Sequence, residues 1–158
     1  MASAKISVRP LRRGDYKRIR EIEKAGVDEY ARYLKKTGEI DTVAPSVKPA
    51  YFRHYLKMGG SFVAEADGTI VGYILSQPTS FVHSHKTELW LEYIIVSPEH
   101  RRKRIGSNLL AEVAKWARRH NVRLLYTNLN PNNPESQALL EKHGFEVRSW
   151  MIAERVLK

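Results

Sequence analysis

The residues with the types and spacing best suited to chemistry lie between Leu91 and Ser107. Leu91 to Val96 reads as a buried strand. Arg101, Arg102, Lys103 and Arg104 then form a basic turn, and a helix begins near Arg104. Leu109, Leu110, Val113, Ala114 and Ala117 continue that helix as one apolar face at helical spacing. The first turn of a helix leaves backbone N–H groups without partners and carries the positive end of the helix dipole. Gly106 lets a ligand approach the backbone closely, and the cations add long-range attraction. This chemistry suits a phosphorylated ligand. The alternative is a solvated basic turn that merely opens an ordinary helix. Glu92 stands out for a different reason, because a carboxylate in an apolar strand is expensive to bury unless it is paired or functional.

Two blocks of sequence resemble the GNAT acetyltransferase superfamily. Val96-Ser97-Pro98-Glu99-His100-Arg101-Arg102-Lys103-Arg104-Ile105-Gly106 is similar to its acetyl-CoA signature, a strand ending in Val-x-Pro followed by Arg/Gln-x-x-Gly-x-Gly/Ala at a helix start. Arg101 and Gly106 match, whereas Arg104 replaces the first glycine. Further on, Asn133, Ser136, Ala138, Leu139 and Gly144-Phe145 resemble the family's closing helix–strand unit, and Ile6 to Leu11 resembles its opening strand.

The resemblance implies acetyl-CoA as cosubstrate, no metal, and direct transfer of an acetyl group to a primary amine in a ternary complex. The implied cofactor contacts are Ile94, Ile95 and Val96 on the strand, with Ile94 and Val96 acting through backbone groups freed by a splayed sheet. They continue along the turn at Arg101, Arg102, Lys103, Arg104, Ile105, Gly106 and Ser107. Asn133 is the implied contact to the pantetheine arm, although Asn before a helical run is also a favoured N-cap. Arg104 is expected to be a helix-start residue with ordinary φ that adds a modest electrostatic gain.

Acetyl transfer to an amine requires a neutral nucleophile, a donor for the carbonyl oxygen and a proton for the departing thiolate. A lysine-like amine titrates near pH ~10.4 and must first lose a proton. Glu92 is the candidate base, directly or through a water, and several family members carry a carboxylate in a similar Leu-Glu-x-x-x-Val run. The competing reading is an outward strand glutamate paired with a basic neighbour. Glu88, of the same strand parity, is the fallback. Where many family members place a tyrosine as thiolate acid, this chain has Leu140, so Tyr126, Tyr93, Tyr73 or water must take that role. His83 and His85 read as a surface pair, since no further ligands cluster with them at metal-binding spacing. Arg118, Arg119 and His120 read as the basic last turn of a helix.

The elements that must hold these groups follow from periodicity. A short strand at Ile6–Arg9 precedes a helix with Tyr16, Ile19 and Ile22 on one face. Val27 to Lys57 looks irregular, with Tyr30, Tyr33 and Leu34 on a second helix ended by Thr37-Gly38, a loop bounded by Pro45 and Pro49, and a short helix over Ala50–Leu56. Strands follow at Ser61–Ala66, Ile70–Gln77 and Glu88–Val96, the first two joined by an Asp67-Gly68 hairpin turn. Val122–Leu129 is expected as a buried strand, Pro134–His143 as a helix, and Phe145–Trp150 and Met151–Val156 as closing strands. The sequence thus predicts one mixed α/β domain over residues 1–158, a mostly antiparallel twisted sheet of GNAT type, splayed at the cofactor site and flanked by helices.

Composition sets outer bounds. The 158 residues include no cysteine, which removes disulfides and any thiol nucleophile. The sequence contains no apolar run of transmembrane length and no signal-peptide pattern, and a cytoplasmic protein is expected. A net charge of +10 favours polyanions, among them coenzyme A and nucleic acid. No recognisable nucleic-acid module accompanies that charge, so a nucleic-acid binder is the weaker alternative. A non-catalytic acyl-CoA-binding domain is the other, suggested by Leu140. No acidic cluster suited to a polyamine stands out, which favours a protein lysine or N-terminus over a small amine. Monomer and homodimer are equally compatible with the sequence.

Overall fold

A computed structural model describes residues 4–37, 47–79, 87–131 and 133–148. Its contacts fall into two compact units, Met1–Asn128 and Leu129–Lys158. The first unit carries the sheet. Strands β1 (Ile6–Pro10), β2 (Phe62–Ala66), β3 (Thr69–Thr79) and β4 (Glu88–Val96) form an antiparallel meander, and β5 (Leu124–Tyr126) adds to β4 in parallel. Three helices belong to the same unit: α1 (Tyr16–Thr37), α2 (Pro49–Met58) and α3 (Ile105–Arg119). The fold is mixed α/β with a mostly antiparallel sheet, as the sequence predicts.

Local chemistry accounts for each join. Ala66 pairs with Thr69, so Asp67-Gly68 is a two-residue loop, and the positive φ of both residues (48° and 80°) is the geometry that follows strand twist. Arg9 on β1 binds both Asp15 oxygens at 2.8 and 3.0 Å and Glu65 on β2 at 2.8 Å. It thereby ties the edge strand to the turn that opens α1. Alternation along β3 sorts the two faces. Tyr73 and Leu75 pack with Ile19 and Ile22 of α1 and Phe52 and Tyr55 of α2. Gly72 instead faces Ile105, the first residue of α3, where an added Cβ would lie 3.3 Å from Ile105 Cγ2 and 3.0 Å from the Ile95 carbonyl. A side chain there would force its neighbours to give way. Ile105, Leu109, Leu110, Val113 and Ala117 form the buried stripe of α3.

Three expectations change. The helix that begins at Tyr16 runs unbroken through Gly26 to Thr37, where the sequence suggested an irregular stretch after Val27. A hydrogen-bonded helix under way absorbs the roughly 1 kcal/mol that an interior glycine costs. The strand expected over Val122–Leu129 is reduced to Leu124–Tyr126, with Leu124 half exposed. Just beyond its end the Thr127 hydroxyl donates to the Leu91 carbonyl at 2.7 Å. In the second unit, α4 (Pro134–Lys142) matches its prediction, but residues 145–148 are not a strand. The expected strand at Met151–Val156 lies outside the described residues, as do His83 and His85.

Tyr73 is fully buried, and its hydroxyl has no hydrogen-bond partner among the described residues. Burial, reinforced by the Glu23 carboxylate, holds this phenol well above its ordinary pKa. The folded chain therefore keeps a proton that the unfolded chain releases near pH ~10, so stability is full below that pH and falls as pH rises through it. Tyr73→Phe removes an unsatisfied polar group and is expected to raise stability by about 1 kcal/mol. It should also flatten the alkaline loss, as read by denaturant melts from pH 7 to 11. A variant less stable than wild type with an unchanged alkaline slope would show that the hydroxyl is satisfied.

Candidate active site

The pairing of β4 with β3 contains one irregularity. Leu75 pairs with Tyr93 and Ser76 pairs with Leu91, which leaves Glu92 as the extra residue of a β-bulge. The alternation of side chains resets there. Opposite the Gln77 and Thr79 positions stand Trp90 and Glu88, and opposite Tyr73 and Leu75 stand Ile95 and Tyr93. Glu92 nevertheless reaches Gln77, on the β3 face that also carries the Glu88 position opposite Thr79, and past the bulge that face is continued by Tyr93 and Ile95.

Glu92 is partly buried and turns its carboxylate toward α2 and β3. Its Oε2 accepts a short hydrogen bond from the Tyr55 hydroxyl and another from Gln77 Nε2 at 3.1 Å. These donors are neutral, unlike the basic neighbour that a merely structural strand glutamate was expected to find. Burial first, then the hydrogen bond and charge of Glu92, push the Tyr55 phenol far above its usual pKa, so at neutral pH it donates. Gln77 Oε1 in turn lies 2.8 Å from His54 Nε2. Nearby, the Trp90 and Tyr126 rings meet edge to face at 4.7 Å, and the Tyr126 hydroxyl lies 2.6 Å from Thr79 Oγ1.

Past Glu92, no strand among the described residues pairs with the side of β4 away from β3. Pairing of β4 with β5 stops at Trp90–Tyr126. Ser97 N donates to Val71 O at 2.8 Å, which makes Gly72–Val96 a non-hydrogen-bonded pair of the antiparallel ladder. The peptide groups of Ile94 and Val96 consequently point away from β3, while those of Ile95 point into it. The sequence expected free groups at both Ile94 and Val96. In the structure the Val96 carbonyl accepts from Arg101 Nε at 3.2 Å, so one of them is already engaged within the chain.

The turn that follows presents a helix start. A 3₁₀ turn at Pro98–His100 leads through Arg101 to two residues in the left-handed region, Arg102 (φ 59°) and Arg104 (φ 61°). No side chain caps α3, and its first backbone bond runs from Asn108 N to Arg104 O at 2.9 Å. The amides of Ile105, Gly106 and Ser107 thus stand at the positive end of the helix without intrahelical partners. Arg102, Lys103 and Arg104 are exposed around them, and Ile105 is buried against Gly72. The expectation of ordinary φ at Arg104 is overturned. The chain reverses into the helix there, and the arginine that replaces the family's glycine keeps a glycine conformation.

In the second unit, Asn133 is the N-cap of α4, its Oδ1 accepting from Ser136 N at 3.0 Å. The side chain implied to meet pantetheine is therefore committed to the helix start as well. Leu140 is buried in the last turn of α4. No group of residues able to hold a metal ion occurs among the described residues.

This strand, turn and helix agree with what comparison reveals. Residues 26–145 match the acetyltransferase (GNAT) family. The chain belongs to that family. It is an acetyl-CoA-dependent N-acetyltransferase, as the signature at Val96–Gly106 implied. An aminoglycoside N(6')-acetyltransferase type 1 from Salmonella typhimurium is 30% identical over 98 residues, spanning 60% of this chain and 68% of that one. Among solved structures, an aminoglycoside N-acetyltransferase in complex with CoA shares the fold at TM-score 0.73 and 22% identity, covering 98% of this chain and 97% of the other. An Arabidopsis thaliana protein in complex with the bisubstrate analogue CoA-Ac-MVNAL does so at TM-score 0.69 and 18% identity, covering 91% and 85%.

The sequence did not single out Tyr55, Gln77 or His54. Their contacts reach across 37, 15 and 23 positions of chain, and no local pattern joins them. A left-handed backbone at Arg104 makes a direct prediction. Arg104→Gly is expected to leave the melting temperature of this GNAT enzyme unchanged or slightly raised. Arg104→Val should cost about 1–3 kcal/mol, because a β-branched residue resists that conformation. Equal melting temperatures for the Gly and Val variants would contradict the geometry.

Proposed function

We propose that this enzyme acetylates a primary amine of a small amino sugar, with Glu92 as general base. The observation that carries the proposal is the position of the Glu92 carboxylate. It sits at a bulge in β4, just ahead of the segment whose Ile94 and Val96 peptide groups face away from β3, and upstream of the helix start at Ile105. In this reading the amides of Ile105, Gly106 and Ser107 receive the CoA pyrophosphate, and Arg101 to Arg104 add charge. The Ile94 amide faces the thioester and pantetheine side, and Ile95 keeps the strand in register with β3.

Glu92 takes the proton of the bound ammonium, directly or through one water. The amine nitrogen then attacks the thioester carbon and the C–N bond forms, the nitrogen of the tetrahedral adduct releases its second proton to water, and collapse of the adduct breaks the C–S bond. The CoA thiolate is reprotonated by water or a strand tyrosine. Tyr73 is sealed in the core, which leaves Tyr93 and Tyr126 as the tyrosine candidates. Two features support an amino sugar over a protein amine. The curated relative at 30% identity is named for aminoglycosides. The Trp90–Tyr126 pair beside Glu92 and Glu88 also combines rings that stack on sugar C–H faces with carboxylates that attract ammonium groups.

The test is an acceptor screen with acetyl-CoA against aminoglycosides, polyamines, lysine peptides and free peptide N-termini. Aminoglycosides should give the highest kcat/KM, and a peptide ahead of them would overturn the acceptor assignment. Glu92→Gln should lose ~10²–10⁴-fold in turnover at pH 7. CoA affinity by calorimetry should be unchanged, with partial recovery at high pH as amines deprotonate unaided. Full activity of Glu92→Gln removes the base. Gly106→Val should weaken CoA at least tenfold, and equal affinity would remove the pyrophosphate assignment.

A further inference from the structure

We infer that Gln77 is a positioning residue for Glu92, locked by His54, and that the pair aims one carboxylate oxygen at the acceptor amine. The inference rests on the assignment of Glu92 as base and goes beyond it. Both donors that reach Glu92, the Tyr55 hydroxyl and Gln77 Nε2, bind the same oxygen, Oε2. No donor among the described residues reaches Oε1, so that oxygen is the one left to take a proton.

The orientation of Gln77 is fixed from its other end. Its amide nitrogen donates to Glu92, so its oxygen faces His54, and His54 Nε2 at 2.8 Å must carry the proton of that bond. Without this donor the amide oxygen loses its partner, and the side chain is free to swing away from the carboxylate. Adjacent residues of α2 therefore act on one oxygen by two routes, Tyr55 directly and His54 through Gln77. The two side chains also brace each other, ring centroids 5.5 Å apart in an edge arrangement. The device answers a specific weakness. Glu92 is the unpaired residue of a bulge, so the β3 ladder orients it less firmly than its neighbours, and side-chain bonds supply the missing constraint.

The experiment is steady-state kinetics of the full chain with acetyl-CoA and the best amine of the screen. Gln77→Met keeps length and loses both hydrogen bonds. His54→Phe loses the donor, and His54→Gln restores a donor at similar reach. Gln77→Met and His54→Phe are each expected to lower kcat ten- to a hundredfold, on the order that small misplacements of a reacting group cost, with the KM for acetyl-CoA unchanged. His54→Gln should retain most activity. In a Glu92→Gln background, Gln77→Met should have no further effect, since no base remains to be aimed.

An equal loss from Gln77→Met in both backgrounds, or His54→Gln as damaging as His54→Phe, makes the role structural and overturns the inference. Gln77→Glu keeps the bond to His54 but sets a second carboxylate against Glu92, and it guards against misfolding of the Met variant. Its kcat should fall at least as far, and a wild-type kcat in this variant also overturns the inference. A large loss in Glu92→Gln beside normal Gln77 variants sinks the positioning role alone. Normal turnover in Glu92→Gln sinks the base assignment itself.

Discussion

Much of this structure depends on how β4 pairs with its neighbours. On one side it is bound to β3 along its whole length, apart from the single residue at Glu92. On the other it is bound to β5 only from Glu88 to Trp90. The strand is thus rigidly held by one neighbour and released by the other, which keeps peptide groups at Ile94 and Val96 pointed away from the sheet without loosening the backbone that carries them. Backbone amides normally seek partners at once. Here the Thr127 hydroxyl closes the last position of the β5 side, and Arg101 takes the Val96 carbonyl. The opening is a bounded segment of strand, and bulge, turn and helix start are all placed relative to it.

Two polar groupings in the first unit differ in kind. Arg9, Asp15 and Glu65 make a charged knot that fastens the edge strand and the start of α1, with several bonds per residue. Tyr55, Glu92, Gln77 and His54 make a chain in which the two inner links, Glu92 and Gln77, each have one neighbour on either side. A knot of that sort resists deformation, whereas a chain transmits orientation. The second arrangement suits a carboxylate that must keep an unoccupied oxygen.

Legibility in the sequence followed the range of the interactions. The Asp67-Gly68 turn, the apolar stripe of α3 and the Pro134 helix are local patterns, and each appears where the residues place it. The cationic turn and Glu92 were visible because charged residues in or after an apolar strand are conspicuous. Two things were hidden. The bulge inserts one residue into an otherwise regular alternation, and nothing in Leu91-Glu92-Tyr93 marks which residue is extra. The conformation of Arg104 was hidden as well, since arginine is a poor signal of a left-handed backbone, and the turn imposes it regardless. Long-range partners such as Gln77 emerge only once strands are in register.

Gly72 gives a last consequence, in terms of mutational tolerance. It lies on β3, and its missing side chain is what lets Ile105 and the strand end come together. Arg102, Lys103 and Arg104 of the turn are exposed and alike in charge, so exchange among them changes charge placement by little. An alanine at position 72 would instead press on the Ile95 carbonyl and the first residue of α3. Among variants selected for activity, the eye-catching cations should therefore drift while this inconspicuous glycine persists. A search for functional positions guided by charge alone would rank the two the wrong way round.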